Sequence, residues 1–219
     1  MKELVPGLHR WTARHPEWHP SGDGFGAEVA CFALVAGDDL LLVDPLVPDD
    51  APALLDALAG AAARTDVLIT IGYHVRSAAA LSARYGATVH GPAQAGQRLD
   101  DGTPFALLEP GAPGPAGVVA HAIGRPRRGE TPLWLPSHDA IAFGDALVAT
   151  PDGDLRMWCQ EPLDDRRRAF YRDRFAPTLD PLIAREPARI LVTHGAPVLA
   201  GGAGALRQAV AAGPWYHRG

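Results

Sequence analysis

Short apolar runs, each stopped by Asp, Gly, Pro or His, set the fold class of this 219-residue chain. LHRWTA (8–13), VACFALVAG (29–37), DLLLVDP (39–45), VLITI (67–71) and TVHGP (88–92) read as strands. Gly37-Asp38-Asp39 joins the second and third as a hairpin-like turn. Between these runs the period changes. Leu54, Leu55, Leu58 and Ala62 share one face of a helix over 51–63, and Ala78, Leu81 and Tyr85 mark a second over 77–85. Strand, loop, helix and strand recur in order, which predicts α/β layering.

The second half is less regular. EPGAPGPAG (109–117) is a turn-rich loop and not an interdomain linker, and GVVAHAIG, ETPLWLPSH and AIAFGDALVA read as three successive strands. The segment 162–185 is expected to be helical: Asp164 and Asp165 suit the positive end of a helix, and Tyr171, Phe175, Leu179 and Leu182 mark its buried face. Pro177 and Pro181 should kink it. RILVTHG (189–195) is a buried strand ending on a histidine, followed by an Ala/Gly helix. One domain over 1–219 is the expected organisation, large enough to fold without disulfide staples.

Composition removes several function classes. The net charge is −5 and all but one of the 20 basic residues are arginine, so no nucleic-acid partner is expected. Two cysteines exclude a disulfide scaffold and a four-cysteine zinc site. The first residues lack the apolar core of a signal peptide and no run is long enough to span a membrane, so a cytoplasmic protein with no membrane partner is expected.

No C-x-x-C, G-x-S-x-G, P-loop or dinucleotide fingerprint is present. The informative pattern is positional. His74, Asp145 and His194 stand at or just after strand ends, where side chains from separate segments converge. Asp44 in LLVDP reads as structural, fixing its loop through backbone hydrogen bonds. Cys31 reads as core and Cys159 has no visible activating neighbour. His9, His90, His121, His138 and His217 read as surface or internally satisfied residues.

LLLVDP, then VLIT-loop-helix-RYGATVHGP, then GETPLWLPSHDAIAFGDALV, then ILVTHGAPV, together resemble the metallo-β-lactamase fold hydrolases over about residues 5–200. The resemblance implies a four-layer αββα sandwich with its site along one edge of two sheets, and hydrolysis by zinc-bound hydroxide. The sequence departs from it where zinc would bind. The H-x-H-x-D-H signature is replaced by ITIGYHVRS. Aligned on the helix that follows, His74 takes the last His, Tyr73 the Asp, and Ile71 and Ile69 the first two His; aligned on Thr70, the four ligand places fall to Ile71, Tyr73, Val75 and Arg76. A further ligand turn falls within GRPRRG (124–129), with Arg125 as the nearest counterpart. Asp145 and His194 match the bridging carboxylate and the last His.

A dinuclear zinc centre is therefore not expected. At most one divalent ion would be held, by His74, Asp145 and His194, the alternative being that these residues pair among themselves. The reading this supports is a divergent hydrolase of ester, thioester or lactone substrates, mononuclear or metal-free, with His74, Asp145 and His194 catalytic. Without metal, His74 or His194 would act as general base and Arg76 or Arg125 would stabilise the oxyanion. The competing reading is a non-catalytic or small-anion-binding protein that keeps the fold, with Arg76 and Arg125 holding a small, anionic ligand. Arg127 and Arg128 read as solvated. Tyr73 and Trp18 are expected to touch substrate, Trp18 from a segment (15–26) that is either a flap or a plain hairpin loop.

Overall fold

The computed structural model describes residues 1–16, 18–19, 26–47, 52–124 and 129–217. Strands β1 (Lys2–Val5), β2 (Leu8–Arg14), β3 (Glu28–Ala36) and β4 (Asp39–Val43) pair antiparallel in chain order. Strands β5 (Arg64–Leu68), β6 (Thr88–Gly91) and β7 (Phe105–Leu107) extend the same sheet in parallel, giving the order β1-β2-β3-β4-β5-β6-β7. Parallel neighbours need crossovers. These are α1 (Pro52–Ala61), α2 (Ala78–Tyr85) and the short α3 (Ala93–Gly96).

A second sheet has the order β13-β10-β9-β8, made of β8 (Val119–Ala120), β9 (Leu133–Leu135), β10 (Ala140–Phe143) and β13 (Arg189–Val192), with β10 and β13 parallel. A third, β11-β12-β14, is made of β11 (Leu147–Ala149), β12 (Leu155–Cys159) and β14 (Pro214–Tyr216). Helices α4 (Asp165–Phe170), α5 (Asp180–Ile183) and α6 (Gly202–Ala212) complete the chain.

Period-two alternation divides the core. On β3, Ala30, Phe32 and Leu34 face the second sheet, where they pack with Leu133, Leu135 and Ala142. Cys31 and Ala33 face the other way and pack with Leu55, Ala78 and Leu81 of α1 and α2. A third cluster joins Phe143, Leu147 and Val192 to Phe175, Leu182 and Leu206 of the C-terminal helices. Helices, sheet, sheets and helices thus stack as the four layers that the resemblance implies.

The departures are local. The strand expected over 67–71 ends at Leu68, and the rest becomes the loop carrying Thr70 and His74. AIAFGDALVA is two strands, β10 and β11, broken at Gly144–Ala146. LRMWC was not foreseen as a strand. The 162–185 segment is a chain of helical turns: α4, a π-type turn over Tyr171–Phe175, a 3-10 turn over Ala176–Leu179, and α5. Pro177 and Pro181 each sit near the start of a new turn, where a missing N–H costs least.

Two glycines separate backbone conformation from crowding. Both Gly37 (φ +64) and Gly195 (φ +88) have left-handed φ, but a Cβ on Gly195 would lie 2.5 Å from the carbonyl oxygen of Ala149 whereas one on Gly37 meets nothing. Gly37→Ala should cost about 1 kcal/mol, and Gly195→Ala at least about 2 kcal/mol more because backbone must move. Urea unfolding of both variants measures the difference.

Candidate functional site

Four strand ends build the site. Asp44 follows β4, Thr70 and His74 follow β5, Asp145 follows β10 and His194 follows β13. His194 is held by the backbone on both sides: Ala30 N donates to Thr193 O at 2.8 Å and Ala149 N to His194 O at 3.0 Å.

Asp44 is the organising carboxylate. Its Oδ1 accepts from Thr70 N at 2.8 Å, and its Oδ2 accepts from Thr70 Oγ1 at 2.5 Å and lies 2.9 Å from His74 Nδ1. The expected loop-fixing role is therefore present, and with it a role the sequence did not reveal: Asp44 sets the ring of His74. On the far side of that ring, Nε2 lies 3.5 Å from Asp145 Oδ1, and His194 Nε2 lies 3.4 Å from the same oxygen. Asp44, His74 and Asp145 are buried, while the His194 side chain is 14% exposed and forms the solvent side of the row.

The charges follow from this arrangement. Burial and the nearby Arg76 oppose charge on His74, but the Asp44 and Asp145 carboxylates outweigh them and raise its pKa above the ordinary imidazole value. Burial would raise Asp145, yet the two imidazoles hold it well below the usual carboxylate range. His194 is lowered, chiefly by burial. The row thus runs from His74, raised between two carboxylates, to His194, lowered at the solvent side.

Glu130 is the residue that sequence reasoning missed. It is buried, and its carboxylate accepts from the N–H groups of Gly144 (2.9 Å), Asp145 (3.1 Å) and Ala146 (2.8 Å). It therefore fixes the turn that presents Asp145. The fit is close, since a Cβ on Gly144 would lie 2.8 Å from Thr70 Oγ1 and 3.3 Å from Glu130 Cδ. A lone acid three residues before the apolar LWL strand was the available signal, hidden behind the arginine-rich run preceding it.

The remaining expected residues divide. Arg76 has an unusual backbone (φ 34, ψ −109), and its Nη1 donates to Asp44 O at 3.0 Å. It braces the loop from within, and its Nε is buried without a hydrogen-bond partner among the described residues. Tyr73 is 52% exposed, with the Arg98 guanidinium 4.6 Å over its ring. Trp18 lies against Arg14 at 5.2 Å. Arg125, Arg127, Arg128 and the centre of the 15–26 segment lie outside the described residues. Cys31 is core as expected: burial pushes its thiol up to about 11, and Leu46 N donates to its sulfur at 3.2 Å.

A metal fits this set poorly. Ile69 and Ile71, at the first two ligand places under the helix-based alignment, are fully buried apolar residues. The 3.4 and 3.5 Å spacings resemble the edges of a zinc tetrahedron, whose ~2.0–2.1 Å bonds put donors about 3.4 Å apart. Yet both imidazoles converge on one carboxylate oxygen, and among the described residues no group of three or more His, Cys, Asp or Glu side chains is disposed to hold an ion. The one-ion ligand set expected from the resemblance is brought together, with both imidazoles against Asp145 Oδ1.

Comparison with solved structures places this geometry in a known fold. No protein-family model and no curated relative matches the sequence. The DIM-1 metallo-β-lactamase superposes with a TM-score of 0.66 at 11% identity, covering 96% of this chain and 94% of that one. A metallo-β-lactamase from Erythrobacter litoralis gives 0.65 at 17% identity, with 96% and 93% coverage. The chemotaxis sensor ODP, solved as a peroxy diiron species, gives 0.60 at 12% identity, with 83% and 86% coverage. The chain has the metallo-β-lactamase fold, and such low identities establish the fold alone. Among the described residues no helix is long and apolar enough to cross a membrane.

Glu130 offers a direct test of the site's construction. Burial and the Asp145 charge push its carboxyl up to about 8, against the pull of two backbone amides. The folded protein then holds a proton that the unfolded chain has released, so this group's contribution to stability falls as pH rises from about 5 to 8. Glu130→Gln should remove that pH dependence. It should also cost about 2 kcal/mol or more, because an amide N–H would face backbone N–H donors. Chemical denaturation across pH reads both effects.

Proposed function

We propose that the protein is a metal-independent hydrolase of ester, thioester or lactone substrates, with His194 as general base. The supporting observation is the row Asp44–His74–Asp145–His194, in which buried carboxylates orient two imidazoles and the last one meets solvent. In this reading Asp145 faces His194 Nε2, and the ring takes a proton from water through its other nitrogen. The water oxygen bonds to the acyl carbon, the acyl–oxygen or acyl–sulfur bond breaks, and His194 returns the proton to the leaving group. In this reading Arg76 compensates the developing oxyanion. Fold alone would not justify this step; the paired imidazoles and their carboxylates do.

Hydrolysis of p-nitrophenyl esters, thioesters and lactones by protein dialysed against a chelator tests the reading. Activity should survive chelation. It should fall about 10²–10⁴-fold in His194→Gln, and its acidic limb should lie below the pH expected of an ordinary imidazole, because His194 is lowered. Activity that disappears on chelation and returns with zinc would contradict the proposal.

A further inference from the structure

Alternation along β2 changes character past its first residue. Leu8 is fully buried in the core between the sheets. With period two, Arg10, Thr12 and Arg14 follow it on that same face. Arg10 is partly buried, while Thr12 and Arg14 are exposed, so the second sheet does not cover this stretch. Two contacts bring the candidate site to it. Arg10 Nη2 donates to Gly195 O at 3.2 Å, and Ala30 N, opposite Thr12 on the neighbouring strand, donates to Thr193 O at 2.8 Å. The residues on either side of His194 are thus tied to β2 and β3, and the Arg10 guanidinium stands within about 10 Å of the His194 Cα.

Arg10 carries a charge that no carboxylate answers. Among the described residues it forms no ion pair, in contrast to Arg64, Arg84, Arg167, Arg172 and Arg207. Its Nε is buried without a hydrogen-bond partner among those residues, and its Nη1 donates to none of them. Burial lowers its pKa from the ordinary arginine value, opposed only by the Cys31 thiol. Arg14, on the same face, lies over the Trp18 ring at 5.2 Å. Glu28, opposite Arg14 in register, forms no ion pair with either arginine. A partly desolvated guanidinium without a counterion is costly, and a ligand that supplies the negative charge offsets that cost. One guanidinium balances one negative charge, and its planar fork matches the two oxygens of a carboxylate.

We propose that Arg10 is a specificity-determining residue that holds a free carboxylate of the substrate, which is an ester or thioester with that carboxylate a few carbons from the reacting carbonyl. The place of the carbonyl rests on the reading of His194 as general base; the carboxylate contact rests on Arg10 alone. A neutral ester of the same length lacks the Coulombic attraction, and an ammonium in its place is repelled.

Two measurements at about pH 7, where a carboxylate is ionised, keep the two readings apart. Binding is read from backbone amide NMR shifts of Arg10, Thr12 and Gly195 in the full chain, with glutaramate as probe and pentanamide as its neutral control. Glutaramate should give saturable shifts and pentanamide none. Arg10→Gln should weaken glutaramate at least about tenfold, and Arg10→Lys, which keeps the charge, should retain part of the binding. Hydrolysis is read on mono-p-nitrophenyl glutarate against p-nitrophenyl pentanoate. The wild type should favour the glutarate ester at least about tenfold in kcat/KM, mainly through KM, and Arg10→Gln should abolish that preference. No saturable shifts with glutaramate, equal binding of pentanamide, undiminished binding in Arg10→Gln, or equal kcat/KM for two hydrolysed esters would each overturn the proposal. Saturable, Arg10-dependent glutaramate binding without hydrolysis of either ester would uphold the carboxylate contact and contradict the hydrolase instead.

Discussion

A carboxylate buried where two sheets meet must find positive charge within the protein, because an unpaired buried charge costs several kcal/mol. Asp145 is that carboxylate, and the surrounding loops are arranged around the requirement. His74 supplies the charge from one side and His194 a second contact from the other, both on Oδ1. His74 can serve only because Asp44 holds its opposite nitrogen, and Asp44 is in place only because Thr70 donates to it twice. Each link crosses between strand ends far apart in sequence. The site is therefore a consequence of the sandwich, and the sandwich carries its two buried carboxylates because His74 and Arg76 stand beside them.

The backbone shows where that balance is hardest to hold. Asp44 and Arg76 both have positive φ, at 46° and 34°, a conformation that costs non-glycine residues about 1–3 kcal/mol. The two are joined by the bond from Arg76 to the Asp44 carbonyl. The cost is borne at the loop that fixes His74, where a relaxed backbone would turn the imidazole away from Asp145. Glu130 performs the same service on the other side, tying three successive amides so that Asp145 has one orientation.

Much of this was legible in the sequence, and the boundary has a physical origin. LLLVDP, AIAFGD and ILVTHG announce strands ending in polar residues, because a buried apolar run must stop where the chain turns to solvent. Those strand ends gave Asp44, Asp145 and His194 their places, and the helix at Ala78–Tyr85 fixed the position of His74. What local pattern cannot carry is a partner. Glu130 acts on amides 14 to 16 residues away through a turn that exists only once β9 and β10 pair. The bond from Arg76 to the Asp44 carbonyl depends on a positive φ that composition does not show. His90 reads from the sequence as a surface or internally satisfied residue, and its partner, the buried Asp66, lies on the neighbouring strand 24 residues away.

The central claim is that the site is neutralised by its own side chains. The most direct measurement is the zinc content of protein produced in zinc-supplemented medium and then dialysed into metal-free buffer. A self-neutralised row predicts well under one zinc per chain, unchanged in His194→Ala. One or two zinc ions per chain, lost on that substitution, would show that the imidazoles and Asp145 are metal ligands and would contradict the account.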